Sequence, residues 1–199
     1  MGISNSYIAV QGLDPARALE ALEMEVVEVC EPDEMSLSGV WMGELPGGWL
    51  LLLCDKYDGA FGGKLAQLAA FGPAVACGLN EYVMYSEARG YEGGKQVWRI
   101  VHDRNEEKSV NALALDGNPP PQFEAIARNA RAEQDEKGGE EAGVDMIFDV
   151  PPTLVQSICG YMLGEDEPEG FRYSRLRKIG SVDPRMKGNG FLARLFGRA

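Results

Sequence analysis

The stretch Gly47-Gly48-Trp49-Leu50-Leu51-Leu52-Leu53-Cys54-Asp55 decides how the rest of the chain is read. It is the most apolar run in the sequence, opening at the turn Pro46-Gly47-Gly48 and stopping at the polar cluster Asp55-Lys56-Tyr57-Asp58-Gly59. The run from Trp49 to Cys54 is far shorter than the ~20 apolar residues that cross a bilayer as a helix. A short apolar run bounded by turn signals reads as a strand buried on both faces. Leu37 to Leu45, centred on Val40, Trp41 and Met42, precedes the turn and reads as its antiparallel partner. The run is then half of a hairpin and the spine of a sheet.

Upstream, Ser6–Gln11 reads as a strand, and Asp14-Pro15 starts a helix that ends near Met24, with Asp14 as cap and Pro15 in the first turn. Glu25–Cys30 follows as a second strand. Downstream, a helix spans Lys64–Phe71, and four short strands are expected at Ala74–Gly78, Tyr82–Ser86, Lys95–His102 and Ala112–Leu115, with turns over 87–94 and 103–108. Phe123, Ile126, Ala127 and Ala130 recur at helical spacing in a helix that runs out near Gln134. A strand at Met146–Asp149, a helix at Thr153–Met162 and an edge strand at Phe171–Lys178 complete the reading.

This pattern predicts an α+β fold, one domain over residues 3–179, with an antiparallel or mixed sheet and its helices packed on one face. The alternative, a doubly wound parallel sheet, needs a helix between nearly every pair of strands, and the 74–115 region lacks them. Residues 180–199 form a basic, apolar C-terminal tail.

Charge is unevenly spread along the chain. The net charge is −12, from 19 basic and 31 acidic residues. Residues 171–199 hold eight basic residues and one acid, a net +7, while the preceding 170 residues carry 11 basic and 30 acidic groups, a net −19. So acidic a body repels phosphate backbones, so nucleic acid is not an expected partner for it. The four cysteines, Cys30, Cys54, Cys77 and Cys159, form no C-x-x-C pair and sit mostly in apolar strings. They read as small buried hydrophobes in a reduced, cytoplasmic protein. Met1 to Gln11 lacks the charged and apolar regions of a signal peptide.

Candidate chemistry is sparse. His102, the single histidine, precedes Asp103, and any histidine-dependent reaction must use it. The competing reading is a strand-end histidine bonded to its neighbourhood. Asp55 and Asp58 follow the apolar run, where ligands sit in many α/β sheets. The phosphate-loop spacing fails there: its first glycine falls on Asp58, and Leu65 stands where Ser or Thr is required. No cofactor and no metal site is therefore expected. Tyr91 in a glycine-rich turn and Trp98 nearby fit a protein-recognition surface, against the reading of aromatic cross-strand packing. In the tail, Phe191, Leu192, Leu195 and Phe196 share one side of two helical turns with Arg194 among them. Such a segment fits docking on protein, self-association or contact with an anionic membrane.

Three pieces, Val97-Trp98-Arg99-Ile100-Val101-His102-Asp103, Gly117-Asn118-Pro119-Pro120-Pro121-Gln122-Phe123-Glu124-Ala125-Ile126 and Met146-Ile147-Phe148-Asp149-Val150-Pro151, carry a resemblance. They resemble small uncharacterised bacterial proteins, and size and acidity are similar to those of immunity proteins that neutralise toxins. The resemblance implies a bacterial, cytoplasmic α+β protein and carries no site residues. The function expected is a non-enzymatic protein-binding module of immunity or antitoxin type. The alternatives are a small hydrolase-like enzyme using His102 and Asp103, or a scaffold that self-associates through its tail.

Overall fold

The computed structural model of the chain describes residues 2–106 and 109–181. Nine strands form one sheet: β1 (Ser4–Gln11), β2 (Met24–Cys30), β3 (Val40–Leu45), β4 (Trp49–Cys54), β5 (Ala74–Asn80), β6 (Tyr85–Glu92), β7 (Lys95–Asp103), β8 (Ala114–Gly117) and β9 (Tyr173–Lys178). Four α-helices accompany them: α1 (Pro15–Leu22), α2 (Gly63–Gln67), α3 (Gln122–Glu136) and α4 (Val150–Cys159). The strand order is β2-β9-β3-β4-β1-β5-β6-β7-β8, and every pairing is antiparallel. The fold is α+β, and the parallel alternative does not occur in this sheet.

The β3–β4 hairpin forms as read, with Leu45 opposite Trp49 and Val40 opposite Cys54. All six residues of β4 are buried. The central strand, however, is β1, which lies between β4 and β5. Its alternate residues show why both faces are dry. Tyr7 and Ala9 join Leu51, Leu53, Phe123, Ala127, Leu154 and Val155 in one core, under α3 and α4. Ile8 and Val10 join Leu50, Leu52, Leu13, Ala18, Leu22 and Leu68 in a second core, under α1 and the helical segment at α2. The helices thus cover both faces, not one. Each fully buried leucine of β4 contributes roughly 1.5–3 kcal/mol.

Several boundaries differ from expectation. Residues 81–84 are a turn, and the segment read as a turn, 87–94, is mostly β6. Residues 146–149 are not a strand; they lead into α4. The last strand, β9, is not an edge: it lies between β2 and β3. The edges are β2 and β8.

The place of β9 also revises the charge map. Arg172 pairs with Glu31, Arg175 with Glu28 at 3.5 Å, and Arg177 with Glu25 at 2.7 Å. Three of the eight basic residues counted toward the C-terminal segment are thus spent on acids of β2 and the residue after it. Beyond Ser181 the sequence retains Arg185, Lys187, Arg194 and Arg198 against Asp183, a net +3.

Candidate functional site

The structure disperses the residues singled out in the sequence. Asp55 closes the β3–β4 hairpin, its Oδ2 accepting from the Gly39 amide at 2.8 Å. Asp58 is exposed and starts the short helical turn Gly59–Phe61. Asp103 accepts from the Asn105 amide at 2.8 Å within the β7 turn. Trp98 lies across Gly90 under α3 and α4, so close that a side chain on Gly90 would overlap its indole. Tyr91 is buried on the opposite face, and its hydroxyl has no hydrogen-bond partner among the described residues. Phe191, Leu192, Arg194, Leu195 and Phe196 lie outside the described residues.

His102 is sealed, with 0% exposure. Its Nδ1 lies 2.9 Å from the Ala112 carbonyl oxygen and its Nε2 lies 3.0 Å from Asp145 Oδ2. Asp145 in turn accepts from the amides of Ile147 and Phe148, both at 3.1 Å. The imidazole therefore ties β7 to the turn that launches α4, and neither nitrogen is left for a substrate. The cysteines are free and buried. Burial pushes the Cys159 thiol up to about 11, so it is a packing group rather than a nucleophile.

A buried acid, Glu87, is 2% exposed on the face of α1 and α2. Arg89 Nε donates to it at 2.6 Å, and Arg99 Nε and the Tyr85 hydroxyl donate as well. Burial pushes this carboxyl up, but the hydrogen bonds from Arg99, Arg89 and Tyr85 outweigh it and hold it below the usual range. Arg89 also stacks on Phe61, 4.3 Å from the ring centroid. The Glu87 carboxylate is matched by donors from inside the fold.

The groove between α3 and α4 is different. It holds about 430 Å³. One wall is the α3 stripe Ile126, Asn129, Ala130 and Glu133; the other is the α4 stripe Asp149, Thr153 and Gln156. Both stripes have one-face helical spacing. They flank residues that each helix turns inward, Phe123 and Ala127 on α3, Leu154 and Val155 on α4. Met146, Val150 and Met162 complete an apolar floor, and Glu165 adds a third acid to the rim.

Asp149 stands at the N-cap of α4, yet its side chain makes no capping bond. The reason is in the next three residues. A capping side chain accepts from the second or third amide of the helix. In Val150-Pro151-Pro152 both of those positions are proline and carry no N–H. Asp14 at α1 shows the contrast: only one proline follows it, and its carboxylate accepts from Ala16 and Arg17 at 2.9 and 3.2 Å. The Asp149 carboxyl is left with the groove. Burial pushes its pKa above the usual range, and the neighbouring acids Asp145, Glu81, Glu133 and Glu165 push it further. Lys137 lies 3.6 Å from Glu133, one turn along α3. No cation pairs with Asp149 or Glu165 among the described residues.

Among the described residues no group of three or more His, Cys, Asp or Glu is placed to hold a metal ion. No described helix is long and apolar enough to cross a membrane. No family model, curated relative or solved structure matches this protein.

Proposed function

We propose that this protein is a non-enzymatic binding module whose α3–α4 groove receives a basic, apolar-bearing segment of a protein partner. The observation that carries it is Asp149, an acid stripped of its capping role by Pro151 and Pro152, set in the field of four other carboxylates and itself paired with no cation among the described residues. An arginine or lysine entering the groove relieves that field, while its neighbours cover Ile126, Met146 and Met162. The net charge of −12 steers such a partner and speeds capture. Neutralising a basic partner is the immunity or antitoxin type of action. Four free, buried cysteines fit a cytoplasmic setting. The hydrolase alternative loses its support, because both nitrogens of His102 are engaged.

A fluorescent amphipathic peptide of lysine and leucine tests the reading by anisotropy. Saturable binding is expected with the full chain and is lost on Glu133→Lys with Glu165→Lys, two exposed rim positions. Binding that survives this double charge reversal unchanged would exclude the groove as the receiving surface.

A further inference from the structure

The groove asks for a basic, apolar-bearing segment, and this chain carries one. We infer that segment 190–198 of the chain itself docks in the α3–α4 groove in cis and competes with the external partner. The inference rests on the groove reading above and adds its regulation. Phe191, Leu192, Leu195 and Phe196 supply an apolar stripe over two helical turns, and Arg194 and Arg198 supply the cations. The groove offers the complement: an apolar floor at Met146, Val150 and Met162 beneath Glu133, Asp149 and Glu165. An isolated helix this short is marginal in water, so it requires a surface to form on.

The strand register places the start of the segment on the correct side. Leu176 lies opposite Val40, Val40 opposite Cys54, Cys54 opposite Ser6, Ser6 opposite Gly78 and Gly78 opposite Glu87. Beside Glu87, Ser86 Oγ donates to the carbonyl of Phe148 at 2.7 Å, one residue before Asp149. The exit of β9 and the entry of α4 therefore share one end of the sheet. From β9 to the strands under α4, β5 and β6, is about 20–25 Å across the sheet. The ten residues from Ser181 to Phe191 span at most about 33–36 Å. The connection closes within one chain, and a tether of this length holds its end at about millimolar effective concentration. A segment with a Kd near ~0.1 mM would then weaken an outside competitor about tenfold.

The test uses the full chain. Gly197→Cys is spin-labelled, the native cysteines being buried, and the methionine methyl signals are followed by NMR. Broadening is expected at Met146 and Met162 but not at Met42, which is buried in the opposite core, and it persists on dilution. Glu133→Lys with Glu165→Lys removes it, and adding Arg194→Glu with Arg198→Glu restores it. Arg194→Glu with Arg198→Glu alone tightens binding of the lysine–leucine peptide about tenfold. No broadening, with equal peptide binding by wild type and tail variant, overturns cis docking and leaves the groove reading intact. No broadening and no peptide binding overturns both. Broadening that fades on dilution assigns the groove to the tail of a second copy and overturns the cis arrangement.

Discussion

Glu87 is a buried carboxyl and Asp149 a half-buried one on the opposite face of the same sheet, and the fold treats them in opposite ways. Burial raises the pKa of each. At Glu87 two arginines and a tyrosine reverse the effect. At Asp149 the neighbouring acids add to it, and two prolines have removed the amides that a helix start normally offers. The first acid is satisfied by its own chain and belongs to the structure. The second has no capping bond and no paired cation among the described residues, and the proposed binding surface rests on that difference. The acids of β2 stand with Glu87, since Glu25 and Glu28 each meet an arginine of β9.

The sharpest way to break this contrast is Glu87→Gln. It strands two guanidiniums that remain partly solvated, so a loss of roughly 2–3 kcal/mol is expected from urea unfolding. The pH dependence has a fixed sign. The folded pKa of Glu87 lies below its ordinary 4.5, so its contribution is present above that value and is lost as pH falls through the lowered one. The stability difference between wild type and Glu87→Gln should therefore shrink below pH 4.5. A difference that is flat from pH 7 to pH 3 would show that Glu87 is not held by charge.

His102→Asn is next in size. Asparagine keeps one of the two contacts, so about 1–2 kcal/mol is expected, with Asp145 losing one of its partners. Loss of a cellular phenotype without loss of stability would instead give His102 a chemical role.

How much of this contrast was legible in the sequence depends on the distance over which each residue is satisfied. Asp14 and Pro15 are local, and the cap formed as read. The unbroken apolar run of β4 already demanded two dry faces, which the expectation of helices on a single face contradicted. Most of strand β6 was missed because its alternation is polar on one side: Glu87 and Arg89 read as turn residues until Arg99 of β7 and Phe61 are brought to them. Gly90 read as a turn for the same reason, its role set by the Trp98 indole across the ladder. His102 finds Asp145 across 43 residues that no local pattern spans. The Asp149-Val150-Pro151-Pro152 signal was local and visible; its meaning as a cap without donors required seeing the α3 stripe opposite it.

Asp149→Asn sharpens the comparison from the other side, with a smaller effect of opposite sign. The folded pKa of Asp149 lies above its ordinary 3.8, so the ionised carboxyl opposes folding. The favourable state is the protonated one, fully present below 3.8 and lost as pH rises through the raised value. Asp149→Asn should thus raise the melting temperature at pH 7 and give no gain below pH 3.8, as read by calorimetry. It should also weaken the lysine–leucine peptide, trading affinity for stability. A destabilised variant at pH 7 would mean that the carboxylate has a partner, and the contrast with Glu87 would fail.

The smallest effect is expected at the sheet edge. Arg172 and Glu31 are largely exposed, so Arg172→Ala should cost less than about 0.5 kcal/mol and nothing measurable in 1 M salt. Its value lies in the charge map. Removing the cation leaves Glu31 without a charged partner, as Glu165 is, but outside the α3–α4 groove. If binding needs only exposed acids, the variant gains affinity for the lysine–leucine peptide. If it needs acids above a groove, as the stripes on α3 and α4 imply, the affinity stays where it was, and the distinction between the two ends of the sheet is one of shape as well as charge.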